Sequence, residues 1–175
     1  MTDERNVAII NESTAARVGR VVDVKEIRSP LVRDSLALWN ELRGMRPFPA
    51  RSDVTPRRLA RFLRNITLFR VLDGGADIEF RIMGDAAVAA FGGTFHGLRR
   101  EALNNIQPGM GDVMVRVCGH VARVQAMLPV KGWFQQVGGD SFYQEAIFFP
   151  LGADGVVDHV LCVGNYTRAP PDAIS

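Results

Sequence analysis

Residues 36–62 read LALWNELRGMRPFPARSDVTPRRLARF, and the order of elements around this stretch decides the fold. Leu31, Ser35, Leu38 and Leu42 recur at i, i+4, i+7 and i+11, and Val32, Leu36 and Trp39 form the adjacent row. Together they make one apolar stripe of helical width. Ser29-Pro30 starts that helix, Gly44 is a suitable C′ residue, and Pro47 and Pro49 forbid its continuation. Thr55-Pro56 reads as N-cap and N1 of a second, short helix. In that helix Leu59, Phe62 and Leu63 face inward, and Arg57, Arg58, Arg61 and Arg64 face outward.

Downstream, Ile66 to Leu72 is rich in β-branched and apolar residues. Ile78 to Met83 alternates, with Ile78, Phe80 and Ile82 on one side and Glu79 and Arg81 on the other. Asp73-Gly74-Gly75 between them tolerates positive φ, so the pair reads as an antiparallel hairpin. A small-residue helix over 84–91, a short helix within 97–105 and a longer one from Asp112 to about Met127 follow. Val113, Met114, Val117, Val121 and Val124 share one face of the last. Three strands close the chain, Val130–Val137, Phe142–Leu151 and Val156–Tyr166, joined by short turns that make antiparallel neighbours. The expected fold class is α+β: a five-stranded antiparallel sheet with helices on one face and an N-terminal helical cap. The expected organisation is an N-terminal extension, 1–29, with 1–12 flexible; a domain over 30–167; and a tail, 168–175.

The 175 residues with 47% hydrophobic content suffice for one core-bearing domain. Basic residues number 21 against 19 acids, and only Lys25 and Lys131 are lysines. Between Arg43 and Arg70 eight arginines face a single acid, Asp53. Such a local excess suits carboxylate pairing or, on the functional side, an acidic partner or phosphate. Cys118 and Cys162 lie far apart, which excludes a zinc-knuckle or CxxC spacing and suggests two small buried hydrophobes. The N-terminal MTDERNVAII, with early acids and no long apolar run, does not read as a secretory leader, and no run approaches the ~18 apolar residues of a membrane span, so a cytoplasmic protein is expected.

The run Leu38-Trp39, Arg43-Gly44-x-Arg46, Pro49-Ala50-Arg51-x-Asp53-x-x-Pro56, followed by Phe80-Arg81-Ile82-Met83-Gly84, Phe91-Gly92 and Gly97, resembles a bacterial, mainly alphaproteobacterial, family of stand-alone PAS-like domains. The resemblance spans about Leu31 to Thr167. Arg64 stands where the family often has a proline, and Phe69-Arg70-Val71 where it often has an acid or polar residue. The resemblance implies a PAS fold and a sensory or protein-interaction role acting in trans. It implies no reaction, so an enzyme is not the expectation. PAS domains commonly dimerise through an N-terminal helix, which makes Leu31, Leu38 and Leu42 the expected homodimer seam. Trp39, Arg57 and Arg61 join them as interaction-surface candidates, with a histidine kinase or another signalling protein as partner.

Phe80, Met83, Phe91, Phe95, Trp133 and Phe148, with His120, are the candidate lining of a pocket for a small apolar ligand. His120 lies at the edge of the long helix's apolar face. In haem-binding PAS domains the axial histidine lies on a helix in this position, so haem is the cofactor a resemblance could supply; the sequence itself requires none. The bland alternative is a half-buried histidine bonded to a backbone carbonyl. A small cavity-based enzyme using His120, and phosphate or nucleic-acid binding through Arg57–Arg64, are the alternative functions, with nucleic acid the less favoured. The Asn-Cys-Arg-Phe motif of flavin-linked light sensors is absent. No nucleophile elbow, phosphate loop or metal-ligand cluster is visible, and the aspartates fall mostly in turns.

Overall fold

Among the described residues six strands form one antiparallel sheet: β1 (Arg20–Val21), β2 (Ile66–Leu72), β3 (Asp77–Met83), β4 (Leu128–Gln135), β5 (Ser141–Ala153) and β6 (Val156–Arg168), in the spatial order β1-β4-β5-β6-β2-β3. This structure, a computed structural model, describes residues 19–168. The stretch 1–12, expected to be flexible, and the tail beyond Arg168 lie outside the described residues.

The sheet has six strands where five were expected. The extra one, β1, pairs Arg20 with Lys131 and Val21 with Val130. Two residues carry no readable alternation, which is why the pattern missed it. Its position depends on Gly19, where φ is 90° and a Cβ would come 2.6 Å from the Lys131 carbonyl oxygen.

The helices are α1 (Pro30–Arg43), α2 (Asp85–Phe91), α3 (Arg100–Ile106) and α4 (Met110–Val124). α1 begins at Ser29, whose hydroxyl accepts from the Val32 N–H at 3.4 Å, and ends at Gly44. The basic segment after it is not the regular helix the Thr55-Pro56 signal suggested. The Leu59 N–H bonds to the Thr55 carbonyl at 2.9 Å, but Phe62 and Asn65 then bond three residues back, to Leu59 and Phe62. This tighter winding lets Leu59 and Phe62 both reach the sheet before the chain enters β2, and turns Leu63 outward.

Register sorts the strand residues by face. On the inner face Phe69 of β2 meets Phe80 of β3 (4.5 Å between centroids) and Phe148 of β5 (6.2 Å). Helices α2–α4 cover this side. On the outer face Phe149, Leu161 and Val163 meet Ser35, Leu38, Trp39 and Leu42 of α1 together with Val54, Leu59 and Phe62. The N-terminal cap therefore lies on the side of the sheet opposite the other helices. Covering on both faces explains the nearly continuous buried run over 144–152 in β5.

A bulge disturbs the β2–β3 hairpin: Leu68 pairs with Ile82 but Phe69 pairs with Phe80, leaving Arg81 unmatched. The extra residue reverses the alternation, so Ile82, expected beside Phe80, is exposed on the outer side, while Met83 turns inward. α4 is capped from outside itself. Asn104 of α3 accepts from the Gly111 N–H at 2.8 Å, and the Asp112 carboxylate accepts from Arg100 (2.6 Å) and Asn104 (3.2 Å).

Candidate functional site

The outer face is held by two clamps. Trp39 is buried, stacks on Phe149 at 5.6 Å and donates its indole N–H to the Pro150 carbonyl at 3.1 Å. The Arg43 guanidinium also lies over the indole, 5.3 Å from its centroid. The second clamp is Glu145, a buried acid on β5. Its Oε2 accepts from the backbone N–H groups of Arg28 (2.8 Å) and Ser29 (2.6 Å), which fixes the entry into α1. Glu145 was not singled out in the sequence. The available signal was the polar pair Gln144-Glu145 inside an otherwise apolar strand.

Beside α1 the outer face opens into a groove of about 520 Å³, lined by Val24, Ile27, Leu36, Ala37, Asn40 and Ile147 and by the basic residues Lys25, Arg28 and Arg33. The conspicuous Arg/Pro segment does not contribute to it. Those arginines bind locally: Arg46 to Asp53 (2.8 Å), Arg58 to Glu41 (3.0 Å) and Arg61 to Asp34 (2.7 Å). Arg43 donates to Asn40 and the Arg46 carbonyl, and Arg51 to the Val54 carbonyl. Asp53 is held below the usual carboxylate range by the Ala50 N–H first and Arg46 second. Of the interaction-surface candidates, Trp39 is spent on the core, Leu31, Leu38 and Leu42 are half-buried against it, and Arg61 is paired to α1. Arg57 is exposed.

On the inner face the structure brings together Phe80, Phe95 and Phe148, with Phe69 between them. Phe80 and Phe95 meet edge-on at 5.6 Å, and the Phe95 N–H points to the Met83 sulfur at 3.3 Å. Phe91 sits apart, against Phe134 (5.1 Å) and Tyr166 (5.9 Å). Trp133 is not on this face: it pairs with Tyr143 on the outer side at 5.1 Å and is 39% exposed. His120 is buried on α4, next to Gly119, which packs against Gly75 of the β2–β3 turn.

The inner face also holds a polar group that sequence reading missed. Thr67 and Cys162 are register partners, and the Tyr166 ring folds back across Gly164 beside them. The Thr67 hydroxyl and the Tyr166 phenol are buried without a hydrogen bond of good geometry. Burial pushes the Tyr166 phenol well above its ordinary value, with the neighbouring Cys162 adding to this and Thr67 opposing it. Burial likewise drives the Cys162 thiol up to about 12 and raises Cys118 further above its usual range. Neither cysteine is a nucleophile in this state. Among the described residues no three His, Cys, Asp or Glu side chains gather to hold a metal ion. No helix among them is long and apolar enough to cross a membrane.

Among the described residues the fold is a six-stranded antiparallel sheet with α2–α4 on its inner face and the N-terminal helical cap on its outer face. The profile of the PAS domain family matches residues 27–164, and the chain belongs to that family. Among solved structures it is similar to the PAS domain of an HTR-like protein from Haloarcula marismortui, with 16% identity and a TM-score of 0.41, covering 63% of this chain and 89% of that one. It is also similar to an RNA-binding light-oxygen-voltage receptor, with 15% identity and a TM-score of 0.43, covering 86% of this chain and 37% of that one. No curated protein matches.

Proposed function

We propose that this PAS domain works in trans as a protein-interaction module of a signalling system, docking a partner such as a histidine kinase through the outer face of its sheet. The observation that carries the reading is the distribution of order and charge on that face. α1 is pinned by Trp39 and Glu145 as a rigid wall, and beside it runs a groove whose Lys25, Arg28 and Arg33 have no ion pair among the described residues. A wall fixed in this way presents its surface without paying ordering entropy on binding. The Leu31, Leu38 and Leu42 row packs toward the sheet, so this reading rests on a different protein as partner more than on a second copy.

Sensing enters through the inner face. A small ligand that satisfied the Thr67 and Tyr166 hydroxyls would favour one arrangement of α2–α4 and shift its population. The aromatic contacts among Phe69, Phe80, Phe95 and Phe148 leave docking as the better-supported half of the role.

The test adds the purified chain to histidine kinases of its own organism and follows their autophosphorylation. Native mass spectrometry of the chain alone reads copurified ligand and oligomeric state in parallel. A changed phosphorylation rate for at least one kinase, with a complex of defined stoichiometry, is expected. No rate change and no complex with any kinase contradicts docking to that class of partner.

A further inference from the structure

We propose that the groove beside α1 receives an acidic amphipathic helix of the partner protein. This deepens the docking reading above and rests on it. Lys25, Arg28 and Arg33 rim the groove, and all three side chains are exposed. None of them makes an ion pair or side-chain hydrogen bond among the described residues, whereas Arg20, Arg46, Arg58, Arg61, Arg81, Arg100 and Arg168 each meet a carboxylate.

The acids closest in the chain are already engaged. Asp23 accepts from the Lys25 N–H and caps the turn over 24–26. Glu26 is bound by Arg20 at 3.1 Å. Glu145 is occupied by two backbone N–H groups. Among the described residues no carboxylate is therefore left to pair with these three cations. The same lining holds the apolar Val24, Ile27, Leu36, Ala37 and Ile147, with Asn40 beside them. A groove that combines apolar side chains with three cations complements a helix with apolar residues at i, i+3, i+4 and i+7 and acids along its flanks.

A second copy of this chain fits the groove poorly. A two-fold contact places a patch against itself, so it would bring Lys25, Arg28 and Arg33 toward their own copies. The acids on the other flank of α1, Asp34 and Glu41, are already taken by Arg61 and Arg58.

The test uses fluorescence anisotropy on the full chain. The probe is a labelled synthetic helix carrying leucines at i, i+3, i+4 and i+7 and glutamates on its flank, and the control has lysine at each glutamate. Binding of the acidic probe alone is expected, weakening with added salt. The triple variant Lys25→Glu, Arg28→Glu, Arg33→Glu should lose at least about tenfold in affinity, given that close charge pairs are each worth a kcal/mol or more. All three positions are exposed, so its melting temperature should match the wild type; the milder Lys25→Gln, Arg28→Gln, Arg33→Gln set serves if it does not.

Equal binding of both probes, or no loss in either triple variant, overturns the proposal. So does displacement of the acidic probe by dodecanoate at stoichiometric amounts, which would make the groove a site for small amphiphiles. A dimer that the charge reversal dissolves would make the occupant a second copy, and overturns it too. Kinase regulation that survives intact in the triple variant sinks the groove assignment while leaving trans docking standing.

Discussion

Glu145→Ala should be among the most damaging single substitutions on the outer face. The carboxylate accepts two backbone N–H groups, at 2.8 Å from Arg28 and 2.6 Å from Ser29, and both donors sit at the entrance to α1. Hydrogen bonds to a charged group contribute about 1.5–3 kcal/mol each. Removing the acceptor also strands the buried Ser29 N–H. Recovered hydration of the missing carboxylate offsets part of this, which leaves a net loss of about 3 kcal/mol. For a domain of this size that lowers the melting temperature by roughly 6–12 °C. Glu145→Gln keeps an acceptor oxygen in place and should cost about 1 kcal/mol, the difference between a charged and a neutral acceptor.

Urea denaturation gives the energies, and amide exchange locates them. In Glu145→Ala the Arg28 and Ser29 amides should lose protection before the β5–β6 ladder does. A Glu145→Ala chain within about 0.5 kcal/mol of wild type, the range of ordinary surface changes, would refute the clamp.

Other consequences follow from single contacts. Trp39→Phe keeps the stacking on Phe149 but removes the donor to the Pro150 carbonyl, and should cost about 1–2 kcal/mol by urea denaturation. Gly111→Ala places a methyl against the Arg100 backbone where α3 and α4 meet, and should destabilise by about 2 kcal/mol or more; a neutral effect would mean the two helices are not in close contact. The Asp112 carboxyl is held below its ordinary 3.8 by Arg100 first and Asn104 second. Its contribution is therefore complete above the unfolded value and lost as pH falls through the lower folded one, so Asp112→Asn should flatten the decline in stability as the pH falls below 3.8. Cys118 and Cys162 should resist a thiol reagent at pH 8 in the folded protein and both react once it is unfolded; stoichiometric labelling of the native state would contradict their burial.

Much of the scaffold is legible in the sequence because it depends on local patterns. The 3.6-residue stripe of α1, the Asp73-Gly74-Gly75 turn and the valine face of α4 each follow from spacing and backbone preference within a dozen residues. What the pattern misses depends on distant partners. β1 exists only through its pairing with β4. The Arg81 bulge, which moves Ile82 from the core to the surface, is set by strand pairing and leaves no composition signal.

The site was harder to read for a related reason. The arginine-dense run is the conspicuous feature, yet Arg46, Arg58 and Arg61 are paired with Asp53, Glu41 and Asp34, and Arg43 and Arg51 bind nearby carbonyls. The cations that line the groove, Lys25, Arg28 and Arg33, are scattered through a stretch with no such density. Trp133 shows the limit of aromatic lists: one step along β4 from Phe134, it faces the opposite side of the sheet from the pocket candidates.

Helix α1 on the outer face is the condition for the clamps, the groove and the docking surface alike. The most direct measurement is a nuclear Overhauser spectrum of the isotope-labelled chain, read at the Trp39 indole. Cross-peaks from its ring to Phe149, and a slowly exchanging indole N–H bonded to Pro150, are the expected result. An indole with no cross-peaks to β5 and a rapidly exchanging N–H would place α1 off the sheet and contradict the docking surface built on it.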